Sequence, residues 1–107
     1  MKKQNKFNAR KVEYQGMVFD SKKEFERYLY LLSCGYTNIK TQVEFELIPK
    51  SDYFRAVKYK ADFVYSPSPG NIIAEDVKGY RKGAAYQVFK IKQKLMYHVY
   101  GIVVEEI

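Results

Sequence analysis

The hydrophobic period of this chain changes twice, from helical to twofold and back, and that alternation restricts the fold more than any single motif. In FDSKKEFERYLYLLSCGY, residues 19–36, Phe25, Tyr28, Leu29 and Leu32 recur at helical spacing. Asp20 or Ser21 is available as N-cap, Glu24 stands three residues after Ser21 as a capping box requires, and Gly35 supplies a stop. From Thr41 to Ile48 the period drops to two. Val43, Phe45 and Leu47 alternate with Glu44 and Glu46, the pattern of a half-buried strand, and Pro49 closes it. After a loop carrying Ser51 and Asp52, Val57 to Tyr65 reads as a second strand. The segment SPSPGN, 66–71, is dense in turn formers and leads into a third strand within IIAEDVKG, 72–79. Strands joined this way are antiparallel neighbours.

The helical period returns from Ala85 to Tyr100, with Val88, Phe89, Ile91, Leu95, Met96 and Val99 as the apolar positions. Gly101 ends that helix, and Ile102 to Val104 reads as a short final strand. Ahead of the first helix, Lys11–Tyr14 and Met17–Phe19 flank Gln15-Gly16, a tight hairpin. The expected order is hairpin, helix, three strands, helix, strand: an α/β fold with a mixed central sheet flanked by helices. At 107 residues there is room for one core. The chain divides into a flexible basic arm over 1–10 and a single domain over 11–107.

Charge narrows the partner. The formal net charge of +7 is concentrated in two blocks without an acid: Lys2, Lys3, Lys6, Arg10 and Lys11 at the start, and Lys78, Arg81, Lys82, Lys90, Lys92 and Lys94 further on. Such blocks favour a polyanion, nucleic acid before membrane, although surplus lysine also serves solubility. The lone Cys34 excludes an internal disulfide and a cysteine zinc cage, and fits a reducing compartment. No apolar run of about 18 residues is present and no apolar segment follows the basic start, so neither a membrane span nor a secretory leader is expected. The default location is the cytoplasm.

Within IIAEDVKG, side chains two apart share a face, so Asp76 and Lys78 project together while Glu75 and Val77 point the other way. On the preceding strand Asp62 stands in KYKADFVY among Tyr59, Phe63, Val64 and Tyr65, where an acid is out of place unless something binds it. Asp62 and Asp76 meet only if the two strands splay or are staggered at that end. Carboxylates gathered this way suit Mg²⁺ or Mn²⁺, hard cations that prefer oxygen ligands and need no His or Cys. Such an ion polarises a phosphoryl oxygen and lowers the pKa of bound water, and a neighbouring lysine orients that water or holds developing negative charge.

These residues resemble the PD-(D/E)xK nuclease superfamily, which includes restriction endonucleases and archaeal Holliday-junction resolvases and shares an αβββαβ core. The motif falls on Asp62, then Asp76 and Lys78, with a helix-borne acid upstream matched by Glu24. The run from FDSKKE through ELIPK and KYKADF to EDVKG looks like a small phage-encoded branch of that superfamily. The four segments in order cover nearly the whole chain after the basic arm. Ala61 replaces the proline of the motif's name, a residue that shapes backbone and ligates nothing. The resemblance implies a restriction-endonuclease-like fold and a Mg²⁺- or Mn²⁺-dependent endonuclease acting on DNA, with branched or structured phage DNA as substrate and a homodimer as the assembly. It further implies Glu24, Asp62 and Asp76 as metal ligands and Lys78 as the catalytic cation. Lys2, Lys3, Lys6, Arg10, Lys11, Arg81, Lys82, Lys90 and Lys92 are left to hold the DNA backbone.

Each assignment has a structural competitor. Glu24 closes a capping box, Asp62 pairs with Lys58 or Lys60, and Asp76 with Lys78 forms a surface ion pair. Glu75 becomes a ligand only if a bulge changes the pleat. Lys92 interrupts the apolar stripe and either snorkels to water or reaches the phosphate. Lone His98 is surface. Tyr80 and Tyr86, near Arg81 and Lys82, are candidates for stacking on unpaired bases. The alternative function is a non-catalytic DNA-binding module, or an accessory protein of a phage replication or recombination complex, on the same scaffold.

Overall fold

The computed structural model describes residues 10–107; Lys2, Lys3 and Lys6 of the expected arm lie outside the described residues. Elements follow in the order β1 (Val12–Tyr14), β2 (Met17–Phe19), α1 (Lys22–Ser33), β3 (Lys40–Ile48), β4 (Val57–Ser68), β5 (Asn71–Asp76), α2 (Gly83–Tyr100) and β6 (Val104–Glu106). The α/β class and the N-terminal hairpin agree with the periodicity. β1 and β2 pair through a two-residue turn in which Gln15 and Gly16 both take positive φ, as a primed hairpin turn requires. The other four strands form one sheet in the order β3-β4-β5-β6, antiparallel except for β5 with β6. That parallel pair makes the sheet mixed.

The helices cover opposite faces. Leu47, Tyr59, Ala61, Ala74 and Val104 pack with Phe89 and Met96 of α2, whereas Phe63 and Tyr65 pack with Leu31 of α1 and Phe19 of the hairpin. Both helices are rotated from the expected stripes. In α1 the buried residues are Glu24 and Leu31, with Phe25 and Tyr28 partly buried, while Leu29 and Leu32 face outward. In α2 the buried pair is Phe89 and Met96, and Val88, Ile91 and Val99 lie on an exposed apolar stripe. Apolar residues on two sides of a helix leave its orientation undetermined by periodicity, and packing against the sheet settles it.

Boundaries differ by a residue or two at the starts of β3 and α2, and more at two other places. β4 runs through Ser68, so SPSPGN contributes only Pro69 and Gly70 to the turn; a register shift between Tyr65 and Ser68 absorbs Pro67, which has no N–H to give the ladder. The last strand is Val104–Glu106 instead of Ile102–Val104, because Gly101, at φ 70, caps α2 and Ile102 packs under it before pairing begins. Cys34 is the exposed C-cap residue of α1, as its place at the helix end suggests.

The sheet changes character at one level. On β4, Tyr59 and Ala61 face α2, yet Phe63 and Tyr65, of the same parity, face α1. Strand β3 does the same, with Phe45 and Leu47 on the α2 side and Ile39, just ahead of the strand, on the α1 side. The switch falls at Gln42 and Asp62, which lie between the Thr41–Phe63 and Val43–Ala61 partners of the β3–β4 register, and Gln42 has φ 53. Such a kink re-aims side chains.

Candidate metal and phosphate site

Asp62 occupies that kink, and β5 leaves β4 beside it. The last β4–β5 partners before the site are Phe63 and Glu75; beyond them the Asp62 carboxylate accepts the Val77 N–H at 2.8 Å, taking the place of a backbone acceptor. The expected splay of the strands is thereby present. β6 holds the released chain on its other edge, where Ile107 N–H bonds to Asp76 O at 2.9 Å and Lys78 N–H to Ile107 O at 3.0 Å. From α1, Lys23 Nζ bonds to the Lys78 carbonyl. Asp62, Asp76 and Glu24, from three different elements, line one open cavity of about 440 Å³ together with Ser21, Lys23 and Tyr80.

Glu24 combines both of its proposed roles in part. Ser21 Oγ accepts the Glu24 N–H at 3.1 Å and caps α1, while the Glu24 carboxylate turns into the site and accepts Gln42 Nε2 at 2.7 Å. The same Gln42 nitrogen donates to Asp62 Oδ1 at 3.3 Å, so one amide bridges two acids. Burial pushes the Glu24 carboxyl up to about 7, with repulsion from Asp62 and Asp20 adding to it and bonds from the Asp20 backbone and Gln42 opposing it. Asp62 is raised to about 6, again chiefly by burial. Its Val77 and Gln42 bonds and Lys78 pull it down, and the Asp76 charge pushes it up. Neither acid has a salt-bridge partner among the described residues, so pairing of Asp62 with Lys58 or Lys60 does not occur; Lys58 pairs with Glu44 at 3.4 Å.

Asp76 and Lys78 share a face as the twofold period requires. Lys78 Nζ lies 3.0 Å from Asp76 Oδ1, and both side chains are largely buried, at 17% and 13% exposed for Lys78 and Asp76, so this is no solvated surface pair. Tyr59 O–H donates to Asp76 Oδ2 at 2.7 Å, and the Lys78 ammonium sits 3.5 Å from the centre of the Phe89 ring, a cation–π contact. Burial and that bond to Asp76 raise the Tyr59 phenol well above its ordinary value, so it remains a donor.

Glu75 faces away, as its parity demands. It is wholly buried on the α1 side, where Arg27 binds both carboxylate oxygens at 2.8 and 2.7 Å and Tyr65 O–H donates at 2.6 Å. Sequence reasoning missed Arg27, Gln42 and Tyr59. Arg27 was detectable, since a buried acid on that face needs a cation and Arg27 is one turn on from Glu24. Gln42 gave no signal, being one polar residue among Glu44 and Glu46 on an alternating strand.

The basic residues disperse. Arg10 and Lys11 are exposed, Lys11 at 4.0 Å from Asp20. Arg81 and Lys90 converge on Glu106 at 3.4 and 3.0 Å, and Tyr86 donates to the same carboxylate at 2.8 Å while packing near Phe89. Tyr86 is therefore built into the fold, whereas Tyr80 is 52% exposed at the cavity. Lys82 is exposed at the α2 N-cap, Lys92 is half-buried, and His98 is exposed as expected.

The donor set at the cavity is dominated by carboxylate oxygens, and two of the carboxyls are raised by burial without a salt-bridge partner among the described residues, which is the chemistry a hard divalent ion would relieve. In the described residues Gln42 stands between Glu24 and Asp62, and Asp76 is drawn toward Tyr59 and Lys78, so three ligand-type side chains are not gathered on one point. No described helix is long and apolar enough to cross a membrane. The chain matches no curated protein and no solved structure. Over residues 4–105, nearly its whole length, it matches the family described as Protein of unknown function (DUF1064), and it belongs to that family.

Proposed function

We propose that this protein is a divalent-metal-dependent endonuclease of the PD-(D/E)xK type, with a restriction-endonuclease-like core, that hydrolyses DNA phosphodiester bonds. The observation that carries the reading is the meeting of Glu24, Asp62 and Asp76 on one open cavity, with Lys78 held against Asp76. Mg²⁺ or Mn²⁺ bound by these carboxylates would supply an electrophile for the phosphoryl oxygen and a water of lowered pKa. Lys78 offers a fixed ammonium to the attacking water or to the developing negative charge. Tyr59 and Phe89 hold Asp76 and Lys78 in position, and Gln42 sets the spacing of Glu24 and Asp62.

Lys82, Lys92, Arg10 and Lys11 supply cations for the phosphate backbone, with Arg81 and Lys90 contributing what Glu106 leaves of their charge. Lys2, Lys3 and Lys6 join them from the N-terminal segment. The reading includes branched phage DNA as substrate, a cytoplasmic location, and a homodimer supported by the exposed Val88, Ile91 and Val99 stripe. Sedimentation as a monomer at tens of micromolar would remove the dimer.

The experiment is cleavage of linear, single-stranded and four-way-junction DNA with Mg²⁺, Mn²⁺ or EDTA, comparing wild type with Asp76→Ala and Lys78→Ala. Metal-dependent cutting lost in both variants is expected. DNA binding without cutting on every substrate would replace this reading by a non-catalytic DNA-binding module, and an absence of DNA binding would favour the accessory protein.

A further inference from the structure

The β3–β4 pair continues well beyond the end of β5. Asp62 is five residues from Val57, the first residue of β4, so at about 3.3 Å per residue the pair extends roughly 17 Å past the site as a two-stranded arm. One face of the arm is braced by α2: Leu47 and Tyr59 lie in its core, the Phe45 and Tyr100 rings meet at 5.4 Å, and Tyr100 O–H donates to Glu46 O at 2.6 Å. At the tip, PKSDYFR presents Tyr53 and Phe54 at 88% and 77% exposure, against 62% for the next most exposed large apolar side chain described, Tyr97. The tip has a fixed shape. Ser51 N–H bonds to Phe54 O at 3.0 Å, and Ser51 Oγ accepts the Phe54 N–H at 3.1 Å and the Tyr53 N–H at 3.4 Å.

We propose that this tip is a stacking platform for unpaired bases, and that it selects nucleic acid whose single-stranded or branched part lies at least about five nucleotides, at roughly 3.4 Å each, from the phosphate at the carboxylates. The inference rests on the nuclease reading and names the substrate class of that site. Two adjacent aromatics offer faces on which any base stacks, and Lys50 and Arg55 on either side supply cations for the neighbouring phosphates, with Asp52 the one opposing charge. A protein partner is a poorer fit. A stable interface needs about 800 Å² on each side, and the residues around the two rings, Pro49 to Asp52 and Arg55, are polar or small and exposed. The arm's flanks carry Glu44 and Glu46 opposite Lys60 and Lys58, so their charges cancel and the tip is the part that attracts a polyanion.

The test uses the full chain in EDTA, where no strand is cut, with fluorescein-labelled forked DNA and blunt duplex of equal length, and with 2-aminopurine in the fork's single-stranded arm. Wild type is expected to prefer the fork and to quench the 2-aminopurine. Tyr53→Ala with Phe54→Ala should weaken fork binding about tenfold or more, with a smaller effect on duplex, and Tyr53→Trp with Phe54→Trp should retain it. Both rings are exposed, so the fold survives these changes. Equal fork affinity in the alanine variant, or an equal loss on fork and duplex, overturns the inference. Wild type that cuts duplex with Mg²⁺ but shows no fork preference overturns the inference and leaves the nuclease intact, whereas wild type that neither binds DNA in EDTA nor cuts any DNA with Mg²⁺ removes both.

Discussion

Glu24→Gln separates a carboxylate kept for chemistry from one kept for structure. Glu24 is 3% exposed and its carboxyl is raised from 4.5 to about 7, mainly by burial. The folded state therefore binds this proton more tightly than the unfolded chain does. Stability is highest where both states are protonated, below about pH 4.5, falls as pH rises, and carries the full penalty above pH 7. At about 1.4 kcal/mol per pH unit, the change from 4.5 to about 7 corresponds to roughly 3 kcal/mol against the ionised folded form. Glutamine keeps the shape and can still accept from Gln42, so without divalent cation the variant should be the more stable protein at pH 8, by about 1 to 3 kcal/mol. At pH 5 the linkage leaves less than about 1 kcal/mol of that advantage.

The assay is urea denaturation at pH 5 and pH 8, with EDTA or with Mn²⁺ or Mg²⁺ in excess. A cation that binds only the folded site stabilises by mass action, about 2.7 kcal/mol at a hundred times its Kd. Wild type should gain from the cation at pH 8 and Glu24→Gln should gain far less. A variant less stable than wild type at pH 8, or equally displaced at both pH values, would show that Glu24 serves the α1 cap and the packing beneath it, and would refute the argument.

Three other substitutions probe the surroundings of the site. Tyr59→Phe deletes the bond to Asp76 with little change of shape; we expect about 1 kcal/mol of stability and a roughly tenfold drop in kcat with KM nearly unchanged, read from steady-state cleavage. Arg27→Met leaves Glu75 buried and unpaired and should cost about 3 to 5 kcal/mol in chemical denaturation, while adding Glu75→Leu should recover much of it. Full recovery of activity in that double variant would show the ion pair to be scaffold alone. Lys82→Gln should flatten the plot of log affinity for duplex DNA against log salt by about 0.9, and Lys90→Gln should flatten it less, because Glu106 already neutralises Lys90.

Much of the scaffold was legible because the signals are local. Gln15-Gly16, the Ser21 cap and the Gly101 stop each depend on a few neighbouring residues, and the structure uses all three. The shared face of Asp76 and Lys78, and the opposite face of Glu75, follow from the twofold period alone. Helix rotation was not legible: α1 turns Leu31 inward and Leu29 outward, and α2 exposes Val88 and Ile91, choices made by the sheet surface each helix meets. Tyr53 and Phe54 were missed for the opposite reason. The loop drew notice only for Ser51 and Asp52, and nothing local in its sequence shows that it stands clear of any core.

The meeting of Asp62 with Asp76 shows most clearly where sequence reasoning stops and why the spot is singular. A regular β4–β5 ladder would continue past Phe63 and Glu75 and leave no room for a carboxylate between the strands. The ladder ends there, Asp62 bonds the Val77 N–H in its place, and Gln42 on the facing strand takes φ 53, a conformation that costs free energy in a residue other than glycine. At the same level the buried Glu24 and the half-buried Asp62 have no salt-bridge partner among the described residues. Each of these departures weakens the fold, and packing alone gives no reason for them to coincide. A hydrophobic residue at 62 and an unbroken ladder would make a more stable sheet of the same topology. Their coincidence at the mouth of one cavity, against Asp76 and Lys78, is what supports reading it as a site, and on that reading Asp62→Val should raise stability, by letting the ladder close over the Val77 N–H, while ending any activity this cavity supports.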